Sequence, residues 1–233
     1  MKKPNQKRIE ANKKVEATKL YSVKDALALA KEASYAKFDE TFEVAFRLGV
    51  DPRHADQMIR GAIVMPAGTG SKVTVVVITS GENITKAEAA GADVVGGDDI
   101  IQKIQGGWME FDRVIATPDM MGKIGRIARI LGPRGLMPNP KLGTVTTDVE
   151  KAVSEQKAGK VEYRTEKTGI IHVPFGKKSF EDENLLKNFK AIAGAIVRAK
   201  PASAKGTYLK SVTLSTSMGP GIKLDTQDVA SFA

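Results

Sequence analysis

Residues 73–78 have the sequence VTVVVI, an almost unbroken apolar run. A strand buried on both faces of a parallel sheet has this composition, whereas a strand with one solvated face alternates apolar and polar residues. The same region predicts strands at 94–95 and 113–116 and helices at 84–90, 98–105, 120–131 and 147–157. Strands that alternate with helices predict βαβ units and a small doubly wound sheet.

The segments on either side of this region have a different pattern. Residues 41–49 alternate apolar and polar side chains, as a half-buried strand does, and they follow a predicted helix that Ser22 caps. Residues 161–165 and 170–175 predict a β-hairpin. The remaining predicted elements are a helix that runs from its cap Ser179 to Pro201 and a strand from Tyr208 to about Met218.

Breaks in composition at residues 66–71 (PAGTGS) and at Ala158-Gly159 separate the two patterns. Neither flank has enough strands and helices for a two-layer fold, but together they supply a four-stranded sheet and two helices. We therefore predict an α+β discontinuous domain over residues 1–67 and 160–233. It is interrupted by an inserted α/β doubly wound (Rossmann-like) domain over residues 68–159, and the two glycine-containing linkers predict a hinge.

Positive charge is concentrated in the two flanks. Of the net charge of +9, residues 1–67 carry +4, residues 160–233 carry +5 and residues 68–159 carry none. A polyanion would be attracted to the flanks, although a basic surface can also serve solubility alone. The chain has no cysteine, no apolar run near the ~20 residues of a membrane span and no signal-peptide pattern, so we expect a soluble cytoplasmic protein without a membrane partner.

Residues that could carry enzyme chemistry are scarce. The histidines are His54 and His172, and a zinc site would need a cluster of histidine or cysteine that the chain lacks. Neither G-x-G-x-x-G nor G-x-x-x-x-G-K-[ST] occurs, and Asp98-Asp99 at a predicted helix start favours capping over acid–base work. We predict that the protein is not an enzyme and uses no cofactor or metal. The alternative is a nucleotide- or metabolite-binding enzyme that uses the inserted domain.

The last predicted strand carries a row of hydroxyl groups. Ser211, Thr213, Ser215 and Ser217 fall on one face, and hydroxyls at close range suit phosphates and RNA 2′-hydroxyls. The strand leads into residues 218–221 (MGPG), where glycine allows close approach of a backbone and the methionine could pack on a sugar or base. A plain solvated sheet face and a simple turn are the open alternatives.

Further candidates flank the other predicted strands of the discontinuous domain. Phe38 stands between Lys37 and Thr41, where it either contacts RNA or packs in the core. His172 is out of phase with its apolar neighbours, which disfavours a core position. The cations that could contact phosphates are Arg47, Arg53 and Lys167. Residues 122–125 (GKIG) match the G-x-x-G clamp of one RNA-binding module, but they lie inside a helical pattern, where chance matches are common.

Four segments carry a specific resemblance. Residues 122–145 (GKIGRIARILGPRGLMPNPKLGTV) resemble the signature of the family of bacterial large-subunit ribosomal protein number one, which forms the mobile ribosomal stalk. Residues 37–61 (KFDETFEVAFRLGVDPRHADQMIRG), 167–176 (KTGIIHVPFG) and 215–221 (STSMGPG) resemble segments of that family in the same order. The resemblance covers essentially the whole chain.

This resemblance implies a two-domain ribosomal protein whose discontinuous domain binds the stalk region of large-subunit ribosomal RNA. It further implies a role in moving deacylated tRNA out of the exit site, and repression of its own operon through its messenger RNA. The free protein is expected to be monomeric. Carried over by motif, the RNA-binding residues are Lys37, Phe38, Thr41, Lys167, Thr168, His172, Ser211, Ser217, Met218 and Gly219, to which we add Arg53 as a cation in reach of phosphate.

One predicted RNA-binding residue varies within the family, and three arginines of the insert have no assigned contact. Residue 217 is Ser where Thr also occurs in the family, which keeps the hydroxyl and removes a methyl group. Arg126, Arg129 and Arg134 lie in the neutral insert, and a second RNA contact or a tRNA contact is a hypothesis for them. A general basic nucleic-acid chaperone, without preference among RNAs, is the remaining alternative.

Overall fold

A computed structural model describes residues 6–232 of the chain. The elements in chain order are α1 (Gln6–Lys14), α2 (Val23–Ala33), β1 (Thr41–Leu48), β2 (Arg60–Val64), β3 (Val75–Ile78), α3 (Asn83–Ala89), β4 (Val94–Gly96), α4 (Asp98–Gln105), β5 (Arg113–Ala116), α5 (Met121–Ile124), α6 (Ala128–Leu131), α7 (Val149–Lys157), β6 (Lys160–Arg164), β7 (Ile170–Lys177), α8 (Asp182–Arg198), β8 (Leu209–Thr216), β9 (Ile222–Leu224) and α9 (Thr226–Ser231). The first five residues of the predicted basic tail, and the last residue, lie outside this description.

The described residues form two compact units. The first unit contains the residues up to Gly70 together with those from Val161 onward, and the second is Ser71–Lys160. The first unit is built on a four-stranded antiparallel sheet of order β7-β1-β8-β9, with α2 and α8 packed against it. In β1 the predicted alternation holds, since Phe42 and Phe46 are buried whereas Glu43 and Arg47 are exposed.

Four phenylalanine rings fill the space between this sheet and α8. The ring centroid of Phe189 in α8 lies 5.9 Å from that of Phe175 and 6.4 Å from that of Phe46, and Phe42 lies 5.9 Å from Phe175. All four side chains are fully buried. Truncation of such a ring to alanine costs about 3–5 kcal/mol, because it leaves a cavity as well as losing apolar burial. This packing commits one face of the sheet to the core and leaves the other face outward.

The predicted hairpin between residues 161–165 and 170–175 is wrong. The turn between these segments does form, because Glu166 N–H donates to Ile170 O at 2.8 Å. However, β6 pairs with β2 in a separate two-stranded sheet, whereas β7 pairs with β1. The fourth strand of the main sheet is β9, which the sequence pattern did not predict, and β2 was also missed. Alternation within a short strand indicates its buried face but not its partner.

Helix starts were predicted with mixed success. Ser22 caps α2 as predicted, since its side-chain oxygen accepts a hydrogen bond from Asp25 N–H at 3.2 Å. Ser179 does not cap α8, which begins at Asp182 with Glu181 in the cap position. The Ser179 hydroxyl instead donates to Asp39 Oδ2 at 2.7 Å, so its partner is 140 residues away in the sequence.

The second unit contains a three-stranded parallel sheet of order β4-β3-β5. All four residues of β3 are completely buried, as the apolar run at residues 73–78 predicts. Val75 and Val77 pack with α3 and α7 on one face, and Val76 and Ile78 pack with α4 and the segment after β5 on the other. Helical segments on both faces give the doubly wound arrangement.

The helix predicted over residues 120–131 is confirmed as a helical segment, but it is not one continuous α-helix, because it consists of short pieces. The single turns α5 and α6 are separated by a 3-10 turn at Gly125–Ile127. Gly122 and Gly125 both have helical geometry available to any residue, and a Cβ at either position would meet no atom within 4 Å. Packing inside this unit therefore gives no reason for glycine there, although each costs about 1 kcal/mol of helix propensity relative to alanine.

One buried amide ties the segment after β2 to α8. Asn188 Oδ1 accepts from Ala67 N–H at 2.9 Å, and its Nδ2 donates to Gly68 O at 2.9 Å and to Phe175 O at 2.7 Å. Asn188 is completely buried, and Gly68 has a φ of 70°, which favours glycine. The amide satisfies three backbone groups, each of which would cost about 1–3 kcal/mol if buried without a partner.

Candidate nucleic-acid interface

The outward face of the four-stranded sheet carries short or polar side chains. Ala45 in β1 pairs with His172 in β7 and with Thr213 in β8, and Thr213 pairs with Lys223 in β9. This row crosses the whole sheet without a large apolar side chain. The hydroxyl row of β8 lies on the same outward face, as the alternation predicts, and Ser211 is half-buried opposite the exposed Arg47. Short side chains let a polyanion approach the strand backbones closely.

A cluster of hydroxyl groups and a lysine closes one end of this face, where β1 begins and β8 ends. Thr41 N–H donates to Ser217 Oγ at 3.0 Å, and Ser217 N–H donates to Thr41 O at 3.0 Å. The Lys177 ammonium donates to Thr41 Oγ1 at 2.8 Å. The two predicted hydroxyl residues are thus brought together, and each hydroxyl already accepts one internal hydrogen bond. The Thr41 hydroxyl proton is available to a phosphate or a 2′-hydroxyl, whereas the Ser217 hydroxyl also donates to Thr41 O over a long 3.5 Å.

A buried carboxylate holds the segment before β1 against the turn after β8. Glu40 is completely buried, and its Oε1 accepts from Ala36 N–H at 2.8 Å while its Oε2 accepts from Met218 N–H at 3.1 Å. Burial by itself raises the pKa of this carboxyl. The hydrogen bonds from the two backbone N–H groups, the nearby Thr216 hydroxyl and the charge of Lys178 together outweigh burial and hold the pKa of Glu40 below its ordinary value.

Two large apolar side chains are exposed on the segments that Glu40 joins. Phe38 is 56% exposed and Met218 is 47% exposed, so Phe38 is not a core residue. Lys37 beside Phe38 is exposed as well. Apolar and aromatic side chains next to cations and hydroxyl groups offer the combination that RNA binding uses, namely stacking together with phosphate contact.

Gly219 has an internal role that the sequence did not indicate. A Cβ at this position would collide with the hydroxyl oxygen of Thr216, the buried residue at the end of β8. The tight turn after β8 therefore requires glycine for its own packing, whatever ligand approaches it.

The remaining predicted residues lie toward the other end of β1. Lys167 and Thr168 are exposed in the turn that precedes β7, and they line the same groove as His172, which is exposed. Arg53 is exposed in a loop whose backbone is held by Asp51, with Arg53 N–H donating to Asp51 Oδ1 at 3.0 Å. The structure therefore divides the predicted site into two clusters. β1 is about 23 Å long at 3.3 Å per residue, and His172, which pairs with Ala45, lies between its two ends.

Several residues of this surface escaped sequence reasoning. Lys177 and the buried Glu40 belong to the Thr41 cluster, and Met58 and Arg164 line the groove beside His172. Met58 is an apolar residue in a polar loop, and this contrast is a sequence signal that could have identified it. No local signal distinguishes Glu40 from any other acidic residue, since its partner Met218 is 178 positions away.

Comparison with protein families decides what kind of protein carries this surface. The model of the ribosomal protein L1p/L10e family matches residues 29–220, which is most of the chain and includes parts of both units. The chain belongs to that family. Family membership makes it a protein of the large ribosomal subunit that binds ribosomal RNA, and the family is one of RNA-binding ribosomal proteins rather than of enzymes.

Among residues 6–232, no helix is both long enough and apolar enough to cross a membrane. Within the same range, no group of three or more histidine, aspartate or glutamate side chains is placed to hold a metal ion.

Proposed function

We propose that the first unit anchors the stalk region of large-subunit ribosomal RNA through the outward face of its four-stranded sheet. The Thr41 cluster with Phe38 and Met218 supplies selectivity at one end, and Lys167, Thr168 and His172 bind at the other. The strongest support is the carboxylate of Glu40, because this buried group holds the backbone of the two segments that carry the exposed side chains of Phe38 and Met218. Such an arrangement costs desolvation energy, and it is explained by a ligand that needs both side chains in fixed positions.

Competition binding tests this proposal. A stalk-region ribosomal RNA fragment and an unrelated duplex RNA of equal length compete for the full-length protein at near-physiological salt. We expect the stalk fragment to bind at least about 10³-fold more tightly, the lower end of the range for specific over non-specific binding. Binding should also weaken steeply with salt, because bound phosphates release counterions. Equal affinity for both RNAs would identify a general basic nucleic-acid chaperone instead.

Variants at the Thr41 cluster locate the contact. Met218→Ala and Ser217→Ala should each lower the affinity for the stalk fragment by about 1–3 kcal/mol, the scale of one good contact. Leu20→Ala is the matched control, since Leu20 is 59% exposed in the same unit and lies outside the proposed surface. Affinities like that of the unchanged protein for both Met218→Ala and Ser217→Ala would exclude this end of the sheet as the binding site.

For the second unit we propose a separate domain with a weaker RNA contact. Arg126, Arg129 and Arg134 are exposed beside Gly122 and Gly125, whose missing side chains leave open surface. This combination suits the backbone of a folded RNA, and deacylated tRNA leaving the exit site is the partner that the family suggests. Arg126→Ala with Arg129→Ala should weaken binding of deacylated tRNA while leaving affinity for the stalk fragment unchanged. Lys86→Ala, an exposed cation of the same unit, is the control.

We further propose that the protein acts on the cytoplasmic ribosome, is monomeric when free and represses its own operon. Repression would use the same surface of the first unit, provided that the messenger RNA contains a structure similar to the stalk. Met218→Ala should then weaken binding of the operon leader and of the stalk fragment by the same factor. If Met218→Ala weakened the binding of the two RNAs by different factors, the messenger RNA would bind another surface of the protein.

A further inference from the structure

A groove of about 630 Å³ opens beside the predicted contacts at the Leu48 end of the sheet. We propose that this groove binds one unstacked nucleobase of the RNA, with Met58 and Pro52 as its apolar surface and Arg164 as a stacking or hydrogen-bonding partner. The inference rests on the proposed RNA-binding function and adds a site within it. The volume is within the range of small-ligand sites, about 300–1,000 Å³, and is ample for one base.

Internal hydrogen bonds hold both sides of the groove in place. Ile59 O accepts from Thr165 N–H at 2.9 Å and from Thr165 Oγ1 at 3.2 Å, which joins the loop that carries Met58 to the strand end that carries Arg164. Within the loop, Asp51 N–H donates to Gln57 Oε1 at 2.8 Å. A groove held in this way needs little reordering when a ligand enters, and that lowers the entropic cost of binding.

The opposite wall is equally constrained. The turn before β7 closes through Gly169 N–H, which donates to Glu166 O at 3.0 Å, and Gly169 O accepts from Leu48 N–H at 2.9 Å. Gly169 has a φ of 78° and is packed against the carbonyls of Leu48 and Val50, so that no other residue fits there without strain. Lys167 and Thr168 are thereby presented at the rim of the groove.

Apart from the exposed carboxylate of Glu166, which also lines the groove, the lining residues suit a nucleobase attached to its backbone. Met58 is 40% exposed and offers an apolar, polarisable surface to an aromatic ring. Arg164 and His172 are exposed planar groups that can stack on a base or donate to its edge. Among residues 6–232, neither Arg164 nor Lys167 takes part in an ion pair, so both charges are available to phosphate.

The open form of the groove favours a tethered base over a free metabolite. Apart from Pro52 and Thr165, the lining side chains are exposed to solvent, so a small molecule would leave much of its surface in water. Free ligands of useful affinity usually bury about 70–90% of their surface. A base in an RNA that is already bound to the neighbouring cations has a high effective concentration and needs much less intrinsic affinity.

The test combines an RNA scan with one protein variant. Each unpaired nucleotide of the stalk fragment is replaced in turn by an abasic residue, and dissociation constants are measured for the full-length protein and for Met58→Ala. We expect one abasic position to weaken the unchanged protein about tenfold, in line with the loss of one stacked base. Met58→Ala should bind the unsubstituted fragment about tenfold more weakly and show no further loss at that position. Val64→Ala, which removes a side chain of similar exposure, should behave like the unchanged protein.

Three results would overturn the inference. In the first, Met58→Ala binds the unsubstituted fragment as tightly as the unchanged protein. In the second, the loss of affinity caused by Met58→Ala multiplies with the loss caused by each abasic position, so that no position is coupled to Met58. Adenosine monophosphate could bind the protein without RNA in a Met58-dependent way, which would identify a free-nucleotide site. Failure of the underlying RNA-binding proposal looks different, because the unchanged protein would then not distinguish the stalk fragment from unrelated duplex RNA.

Discussion

Replacement of Glu40 by glutamine tests whether the buried carboxylate organises the Thr41 end of the RNA-binding surface. The carboxylate accepts one hydrogen bond from Ala36 N–H and one from Met218 N–H. An amide of the same size has a single acceptor oxygen, and its NH₂ group then faces one of the two N–H donors. One hydrogen bond to a charged group is lost, which corresponds to about 1.5–3 kcal/mol of unfolding free energy.

The effect on RNA binding should exceed what this destabilisation alone would cause. The protein remains folded, but Phe38 or Met218 loses its fixed position, and each is expected to contribute on the scale of one stacked base, about 1–3 kcal/mol. We therefore expect the dissociation constant for the stalk fragment to rise at least about tenfold. Urea unfolding and fluorescence anisotropy measure the two effects on the same preparation. Glu16→Gln makes the same chemical change at an exposed position outside the helices and strands of the same unit and should alter neither quantity.

The pH dependence gives an independent readout. Because the folded-state pKa of Glu40 lies below the ordinary 4.5, its stabilisation is fully present above pH 4.5 and is lost as the pH falls through the folded-state value. The stability difference between the unchanged protein and Glu40→Gln should be constant between about pH 6 and 8 and should shrink below about pH 4.5. A variant with unchanged stability and unchanged RNA affinity would refute the positioning role of Glu40.

Three further predictions test the fold. Gly122→Ala should stabilise the protein by up to about 1 kcal/mol in thermal unfolding, because the added Cβ would contact no other atom. Gly132→Ala is the control and should not stabilise it, since its Cβ would lie 2.8 Å from a backbone carbonyl oxygen. Equal effects of the two substitutions would contradict the helix-propensity argument. Asn188→Ala should lower the unfolding free energy by about 2–4 kcal/mol in urea, and a loss below about 1 kcal/mol would show that the three backbone groups find other partners. Burial, with a smaller effect from the neighbouring Tyr163, raises the pKa of Tyr208 to about 12. Roughly 2–3 kcal/mol of unfolding free energy that is present below pH 10 should therefore be lost as the pH rises through 12. Tyr208→Phe should not show this loss.

Apolar sequence patterns correctly predicted the helices and strands whose exposure to solvent is uniform along their length. The buried strand β3 and the bounds of α4 and β5 could be predicted from the sequence. A strand or helix that packs against neighbouring elements has a clear pattern of apolar residues. Alternation in β1 and β8 also identified the outward face and hence the hydroxyl row. The interruption of the helix after β5 was missed because short 3-10 turns keep nearly the same apolar spacing as an α-helix.

Pairing and burial of single polar residues could not be predicted in the same way. The short segment β6 has a pattern compatible with several partners, and β9 has no clear strand pattern. Only the folded chain pairs β6 with β2 and β9 with β8. Ser179 resembles a helix cap in sequence, but Asp39 competes for its hydroxyl in the folded chain. Each of these outcomes depends on a contact between residues that are distant in sequence.

The sequence by itself determined the two styles of fold, the concentration of positive charge in the flanks and, through its motifs, the ribosomal family. These properties are local or additive, since they depend on composition and on spacing within about ten residues. Only the tertiary structure decided which candidate residues act together. Glu40 and Met218 meet because β1 and β8 pair antiparallel, and Met58 and Arg164 share a groove because Ile59 bonds to Thr165. Proximity across more than 100 residues is a property of the folded backbone, and no local pattern encodes it.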